Sequence, residues 1–102
     1  GVAIPTCPQV KTDAQLICAQ VADQLLTIRD VKASFVVGRN IDEKTVISAR
    51  SLGDVNVQLI MEKFGGGGHL TTAAAQVEDS IQETVQKIME IMEVKKDDSN
   101  FE

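Results

Sequence analysis

The chain has 102 residues, 43 % of them apolar, and a formal net charge of −5 at pH 7. That length makes one domain with a modest core and excludes two, and the apolar share excludes a disordered chain. The acidic balance excludes broad electrostatic attraction to nucleic acid, so any phosphate must be held by a local site.

The opening GVAIPTCPQV has no basic start and carries both prolines, so no signal peptide is expected in this stretch. Its Gly-Val beginning without Met gives the expectation of a piece of a longer protein. No apolar run approaches the eighteen or so residues of a membrane span. Cys7 and Cys18 lack CxxC or Cys/His metal spacing. They are expected as free thiols, which fits a reducing, intracellular compartment.

KTDAQLICAQVADQLLTIRDV holds the first helix, with Thr12 and Gln15 as a capping box and Pro8 just upstream. Ala14, Ile17, Cys18, Val21, Leu25 and Ile28 fall on its buried face. KASFVVG and KTVISARS are β-rich, and RNIDE between them supplies turn chemistry, so a hairpin with a loop of roughly four to six residues is expected. Gly53-Asp54 breaks the second strand, and Asp54 is the expected N-cap of VNVQLIMEKF, whose face is Val57, Ile60, Met61 and Phe64. Gly65 takes the C′ position where that helix stops.

Residues 70–76 fit helix, strand or loop, and a strand is placed near 73–78. Ser80 and Glu83 form a capping box that opens SIQETVQKIMEIMEVKK, striped by Ile81, Val85, Ile88 and Met92. Lys95 and Lys96 suit its negative end. Residues 97–102 are expected as a frayed tail. The order is α-β-β-α-β-α: an α/β (α+β) single small domain over residues 1–102, a mixed sheet covered by helices.

Two stretches bear on chemistry. FGGGGH runs Gly65, Gly66, Gly67 and Gly68 into His69, the chain's only histidine. A linker would mix in Ser, Thr or Pro, whereas consecutive glycines allow backbone N–H groups to converge on an anion. The run is neither a Walker A loop nor GxGxxG. A lone His is commonly a surface or satisfied core residue; at the lip of a glycine nest it can donate to a phosphate oxygen. The second stretch is SARSLGDVN, where Arg50 and Ser51 end a strand just before a helix N-terminus, a place that favours anions. Arg50 either clamps a phosphate or pairs with Asp54 or lies on the surface. No metal site and no nucleophile–base pair is evident.

Together, ISARSLGDVNVQLIMEKFGGGGHLTTAA resembles the core of the DHH-associated domain (DHH subfamily 1), the C-terminal substrate-binding half of DHH phosphoesterases. Arg50, Ser51, Asn56, Val57, Gly65, Gly66, Gly67, Gly68, His69, Ala73 and Ala74 match its pattern, and AQVADQLLTIRDVKASFVVGR resembles the preceding stretch in membrane-anchored cyclic-di-AMP phosphodiesterases of Gram-positive bacteria. Where the family pattern has Ala-Ala-Gly, this chain reads AAAQ with Gln76.

The resemblance implies a cytoplasmic domain of a membrane-anchored parent, gripping cyclic-di-AMP or a related dinucleotide. The parent's DHH domain, acting in cis, would hold two manganese ions and carry the hydrolysis. It further implies substrate contacts at Arg50, Ser51, Asn56, the four glycines and His69. No Asp-His-His occurs, so no cofactor and no catalytic residue is expected here and the piece alone is expected to be inactive. The alternative is a nucleic-acid-binding module, as in exonuclease, oligoribonuclease or exopolyphosphatase-related DHH proteins. The acidic charge and the scarcity of aromatic residues weigh against an extended strand site. A plain assembly role would leave the apolar face of the first helix bare, and a homodimer would then form.

Overall fold

Residues 33–51 make the centre of the molecule, as their β-branched content and turn chemistry dictate. In the computed structural model, which describes residues 1–100 with the side chains of 8–11 and 94–100 outside that description, β3 (Ala33–Asn40) and β4 (Thr45–Ser51) pair antiparallel from Ala33↔Ser51 to Arg39↔Thr45. Asn40 closes the hairpin: its Oδ1 accepts from the Asp42 and Lys44 N–H groups, each at 3.0 Å, and Glu43 takes a positive φ of 63°.

The other elements in chain order are β1 (Val2–Ala3), β2 (Thr6–Lys11), α1 (Ala14–Leu25), α2 (Val57–Glu62), β5 (Gly67–Gly68), β6 (Thr72–Val77) and α3 (Ile81–Asn100). The sheet runs β1-β3-β4-β6-β5, with β2 also on β3. β1 and β2 are parallel to β3, and the remaining pairs are antiparallel. Within this mixed sheet the expected α-β-β-α-β-α order holds, with β1, β2 and β5 added.

Strand alternation sorts the side chains into two layers. Ala33, Phe35 and Val37 of β3, Ile47 and Ala49 of β4 and Ala73 and Ala75 of β6 face α2 and α3, joining Val57, Ile60, Met61 and Ile88 in the main core. Phe35 is completely buried there, which contributes roughly 1.5–3 kcal/mol. On the opposite face Val36 and Val46 meet Ala14, Cys18 and Ala22 of α1. The small helix residues bring α1 close enough for the Ser34 hydroxyl to donate to the Ala22 carbonyl at 2.9 Å.

Several local expectations are corrected. Thr12 and Gln15 do not cap α1: Asp13 is the N-cap and makes no side-chain cap bond, while Gln15 reaches the sheet instead. α1 ends at Leu25, so Ile28 leaves the stripe and is exposed. α2 is capped by Asn56, whose Oδ1 accepts from the Leu59 N–H at 3.2 Å; Asp54 pairs with Lys32 at 3.3 Å. β6 begins one residue before its expected place and ends one residue sooner. The Ser80–Glu83 box forms in both directions, at 3.1 and 3.3 Å. Helix α3 continues through residues 97–100, where a frayed tail was expected; 101 and 102 lie outside the described residues.

Asn56→Ala is expected to cost about 1 kcal/mol, the usual worth of such a cap. In a domain this size that lowers Tm by roughly 4–8 °C, to be read by thermal denaturation. Among the described residues no helix is long and apolar enough to cross a membrane.

Candidate functional site

The glycine run is a helix stop followed by an edge strand. Gly65, at φ +81°, ends α2: its N–H donates to the Glu62 carbonyl at 3.1 Å and that of Gly66 to Met61 at 2.9 Å, the pair of bonds of a Schellman motif. Gly67 and Gly68 then pair with Ala74 and Ala73 of β6. A tight turn over Leu70 and Thr71 joins the strands, with the His69 N–H donating to the Thr72 carbonyl at 2.6 Å. The amides of Gly65, Gly66 and His69 are satisfied by these bonds and that of Gly67 by the ladder with Ala74, so four of the five amides of residues 65–69 are used and they do not converge into the expected nest. Because His69 and Thr72 exchange bonds, the alternation of an antiparallel ladder turns the N–H and C=O of Gly68 away from β6, to the outer edge.

Strand alternation then gathers a set of side chains on the α1 face. Arg50 sits opposite Thr72 and Ser48 opposite Ala74, while Gly67 lies across from Ala74 on the other side. Helix α1 packs over β3 and β4 but leaves β6 and β5 bare on this face, and a groove of about 310 Å³ opens beside it. Gln15 and Ala19 form the helix wall; Ser48, Arg50, Thr72 and Ala74 form the sheet floor; Gly67, Gly68 and His69 close the far rim.

Arg50 is the cation of this groove. Its side chain is only 13 % exposed and lies against the sheet, with Nε donating to Asp23 Oδ1 at 2.7 Å and Nη1 to the Ala49 carbonyl at 2.9 Å. Pairing with Asp54 was one alternative left open by the sequence; the partner is instead Asp23 of α1. A guanidinium has five N–H donors, and two are used here, so among the described residues three remain for a ligand. Gln15 is fixed in turn: its Nε2 donates to Ser48 Oγ at 2.8 Å and to the Ile47 carbonyl at 3.3 Å.

Of the residues singled out in the sequence, the fold brings Arg50, Gly67, Gly68 and His69 to one groove. The other four serve the backbone around it. Ser51 is buried, and its Oγ accepts from the Gly53 and Val55 N–H groups at 2.9 and 3.3 Å. Asn56 caps α2, Gly65 ends it, and Gly66 lies so close to β6 that a Cβ would fall 2.1 Å from the Ala74 carbonyl oxygen. Sequence reasoning did not find Gln15, Ala19, Ser48 and Thr72. The signal was present only as the two-residue period from Ser48 to Arg50, which places both on one face.

A larger depression of about 480 Å³ lies between the end of α2 and α3. Charges of both signs line it, and the Lys87–Asp79 pair at 2.5 Å already neutralises part of them, so it suits an anion less well. Among the described residues no three His, Cys, Asp or Glu side chains converge in a way that could hold a metal ion.

The DHHA1 domain family matches residues 8–94 of the chain. The cyclic-di-AMP phosphodiesterase GdpP of Geobacillus thermodenitrificans is 52 % identical over 91 residues, covering 88 % of this chain and 14 % of that protein. The cyclic-di-AMP phosphodiesterase PdeA of Listeria monocytogenes is 51 % identical over 79 residues, covering 78 % of this chain and 12 % of that protein. The chain therefore spans only a small part of the length of the curated relatives it matches. Among solved structures, a pGpG-specific phosphodiesterase from Vibrio cholerae aligns with a TM-score of 0.49 at 20 % identity, over 58 % of this chain and 22 % of that one.

Proposed function

Because the chain belongs to the DHHA1 domain family, we propose that it is the substrate-binding module of a phosphodiesterase, holding cyclic-di-AMP or a related dinucleotide in the groove between α1 and β6. Hydrolysis is assigned to a separate DHH domain of the same polypeptide, where two manganese ions would supply the activated water. Among the described residues there is no ligand set for those ions, and no step of bond cleavage is assigned to them. Their work is to bind and orient.

The observation that carries this reading is the placement of Arg50 and His69 on one groove whose remaining lining is small or neutral. Arg50 faces it with unused donors, held by Asp23 so that little side-chain freedom is lost on binding. His69 stands on the opposite rim and donates to a second phosphate oxygen. Gly67 carries no side chain, and a Cβ built there meets nothing within 4 Å. A ligand can therefore approach the strand itself. No Phe, Tyr or Trp lines the groove among the described residues, so it provides no aromatic platform for a run of stacked bases.

The test is an NMR titration of the domain with cyclic-di-AMP and with its linear dinucleotide product. Amide shifts are expected at Gln15, Ser48, Arg50, Gly67, Gly68, His69 and Thr72, with weak affinity because the metal-bearing half is missing. His69→Ala is expected to weaken binding roughly tenfold, the loss of one hydrogen bond to a charged group. Unmoved groove resonances at millimolar ligand would sink the reading. Tighter binding of oligonucleotides with a steep salt slope would replace it with a strand-binding module.

A further inference from the structure

Cys7 and Cys18 lie far from the groove in chemistry but not from each other in space. Cys7 is on β2, directly across from Gly38 of β3, and Cys18 is on the face of α1 that packs on the sheet. A Cβ built on Gly38 would fall 2.8 Å from Cys18 Sγ, 3.6 Å from the Cys7 carbonyl oxygen and 3.7 Å from Cys7 Cβ. Both cysteine side chains therefore stand over one glycine, and no other side chain comes within 4 Å of that point as closely as the Cys18 sulfur. Cys7 also acts on the Cys18 thiol. Burial, together with the charge of Cys7 beside it and a hydrogen bond between the pair, pushes the Cys18 thiol up to about 11.

We infer that Cys7 and Cys18 form an oxidisable dithiol, a modification site at which a peroxide closes a disulfide between β2 and α1. Cys7 is the partly exposed member and Cys18 the buried one, which sets the order of events. The Cys7 thiolate attacks one peroxide oxygen, the O–O bond breaks, and Cys7 becomes a sulfenic acid as water leaves. The Cys18 sulfur then attacks the Cys7 sulfur; the S–O bond breaks, and the hydroxyl departs as water with the proton of the Cys18 thiol. Two thiols are oxidised and one peroxide is reduced to two waters. The raised Cys18 thiol makes this second step slow, so the pair responds to sustained oxidant more than to a brief pulse.

The crosslink would tie the strand that enters the domain to the helix that walls the groove, closing a loop over residues 7–18. This inference stands independently of what the groove binds. Treating the chain with hydrogen peroxide is expected to lower its intact mass by about 2 Da per molecule and to yield a single Cys7–Cys18 crosslinked peptide. The oxidised chain is expected to melt roughly 10 °C higher than the reduced one, reversibly on adding dithiothreitol.

Cys7→Ser should abolish both the mass loss and the rise in Tm while remaining folded by circular dichroism, and Cys7→Ala serves the same purpose. Added oxygen on Cys7 without a crosslink, disulfide-linked dimers instead of an internal bond, or a crosslinked chain that melts lower than the reduced one would each overturn the inference.

Discussion

Gly66→Ala is expected to lower the stability of the domain by about 3 kcal/mol or more, while Gly67→Ala, one residue on, leaves it nearly unchanged. The two neighbours differ only in what a methyl group would meet. At Gly66 it would lie 2.1 Å from the Ala74 carbonyl oxygen, 2.6 Å from Ala75 Cβ and 2.7 Å from Ala75 Cα, and backbone cannot move aside cheaply. Relief comes only by lifting β5 off β6, which also breaks the Gly66–Met61 bond that ends α2. At Gly67 the methyl meets nothing within 4 Å, and the backbone has no positive φ there.

Gly67 also lines the groove, across from Ala74, so a methyl there would occupy space that the proposed ligand needs. Urea denaturation should show a fall in midpoint for Gly66→Ala alone. Ligand titration of Gly67→Ala should show at least a roughly tenfold weaker complex in an intact fold. An unchanged midpoint for the first would refute the steric account. Unchanged affinity for the second would remove Gly67 from the site.

Arg50→Ala is expected to weaken dinucleotide binding roughly 10- to 100-fold, the range for losing charge-assisted hydrogen bonds to phosphate. The fold should tolerate it. The Asp23 carboxylate left behind is 65 % exposed and returns to water, so the lost ion pair itself weighs little. Arg50→Lys is not expected to restore affinity. An ammonium cannot bond Asp23 through one nitrogen while presenting others to the ligand, as the guanidinium fork does.

Asp23→Asn separates the two roles of that partner. Asp23 holds the guanidinium in place, but its negative charge also opposes an incoming anion. With Arg50 still packed on the sheet through the Ala49 carbonyl, the charge is expected to dominate and affinity to rise severalfold. Calorimetric titration of the four proteins settles the order: Asp23→Asn tightest, then the native chain, then Arg50→Lys and Arg50→Ala. Equal affinity of Arg50→Ala and the native chain would take the arginine out of the site.

The sequence carried the architecture where local and tertiary preferences agree. The hairpin of residues 33–51 was legible because Asn40 and Asp42 mark its turn between two β-branched runs, and α3 because Ser80 and Glu83 cap it reciprocally. It misled where a polar residue finds a better tertiary partner than a local one. Gln15 looked like half of a capping box yet bonds Ser48, which no sequence window of α1 contains.

The strands β1, β2 and β5 went unseen for different reasons. Two-residue strands have no period, and β2 carries Pro8 within the register shift between Cys7 and Val10. For the proposed site, the arginine, two of the glycines and the histidine of the motif do meet at one groove. Which of its residues face a ligand depends on pleat and pairing. The glycines split accordingly: Gly65 and Gly66 shape the backbone, while Gly67 and Gly68 line the groove.

The ends of the sheet bear on how this chain behaves in company. A row of unpaired amides along a sheet edge is a template on which another chain can add a strand, the first step toward aggregation. One edge here is β5, only two residues long, where Gly68 alone turns its amide outward. The other is shared between the two residues of β1 and the β2 segment that Pro8 interrupts. Neither gives a neighbouring strand enough consecutive bonds to register against. The brevity of β5 thus protects the fold from edge-to-edge growth and leaves a single outward amide beside the groove, sufficient for one phosphate oxygen and insufficient for a second polypeptide.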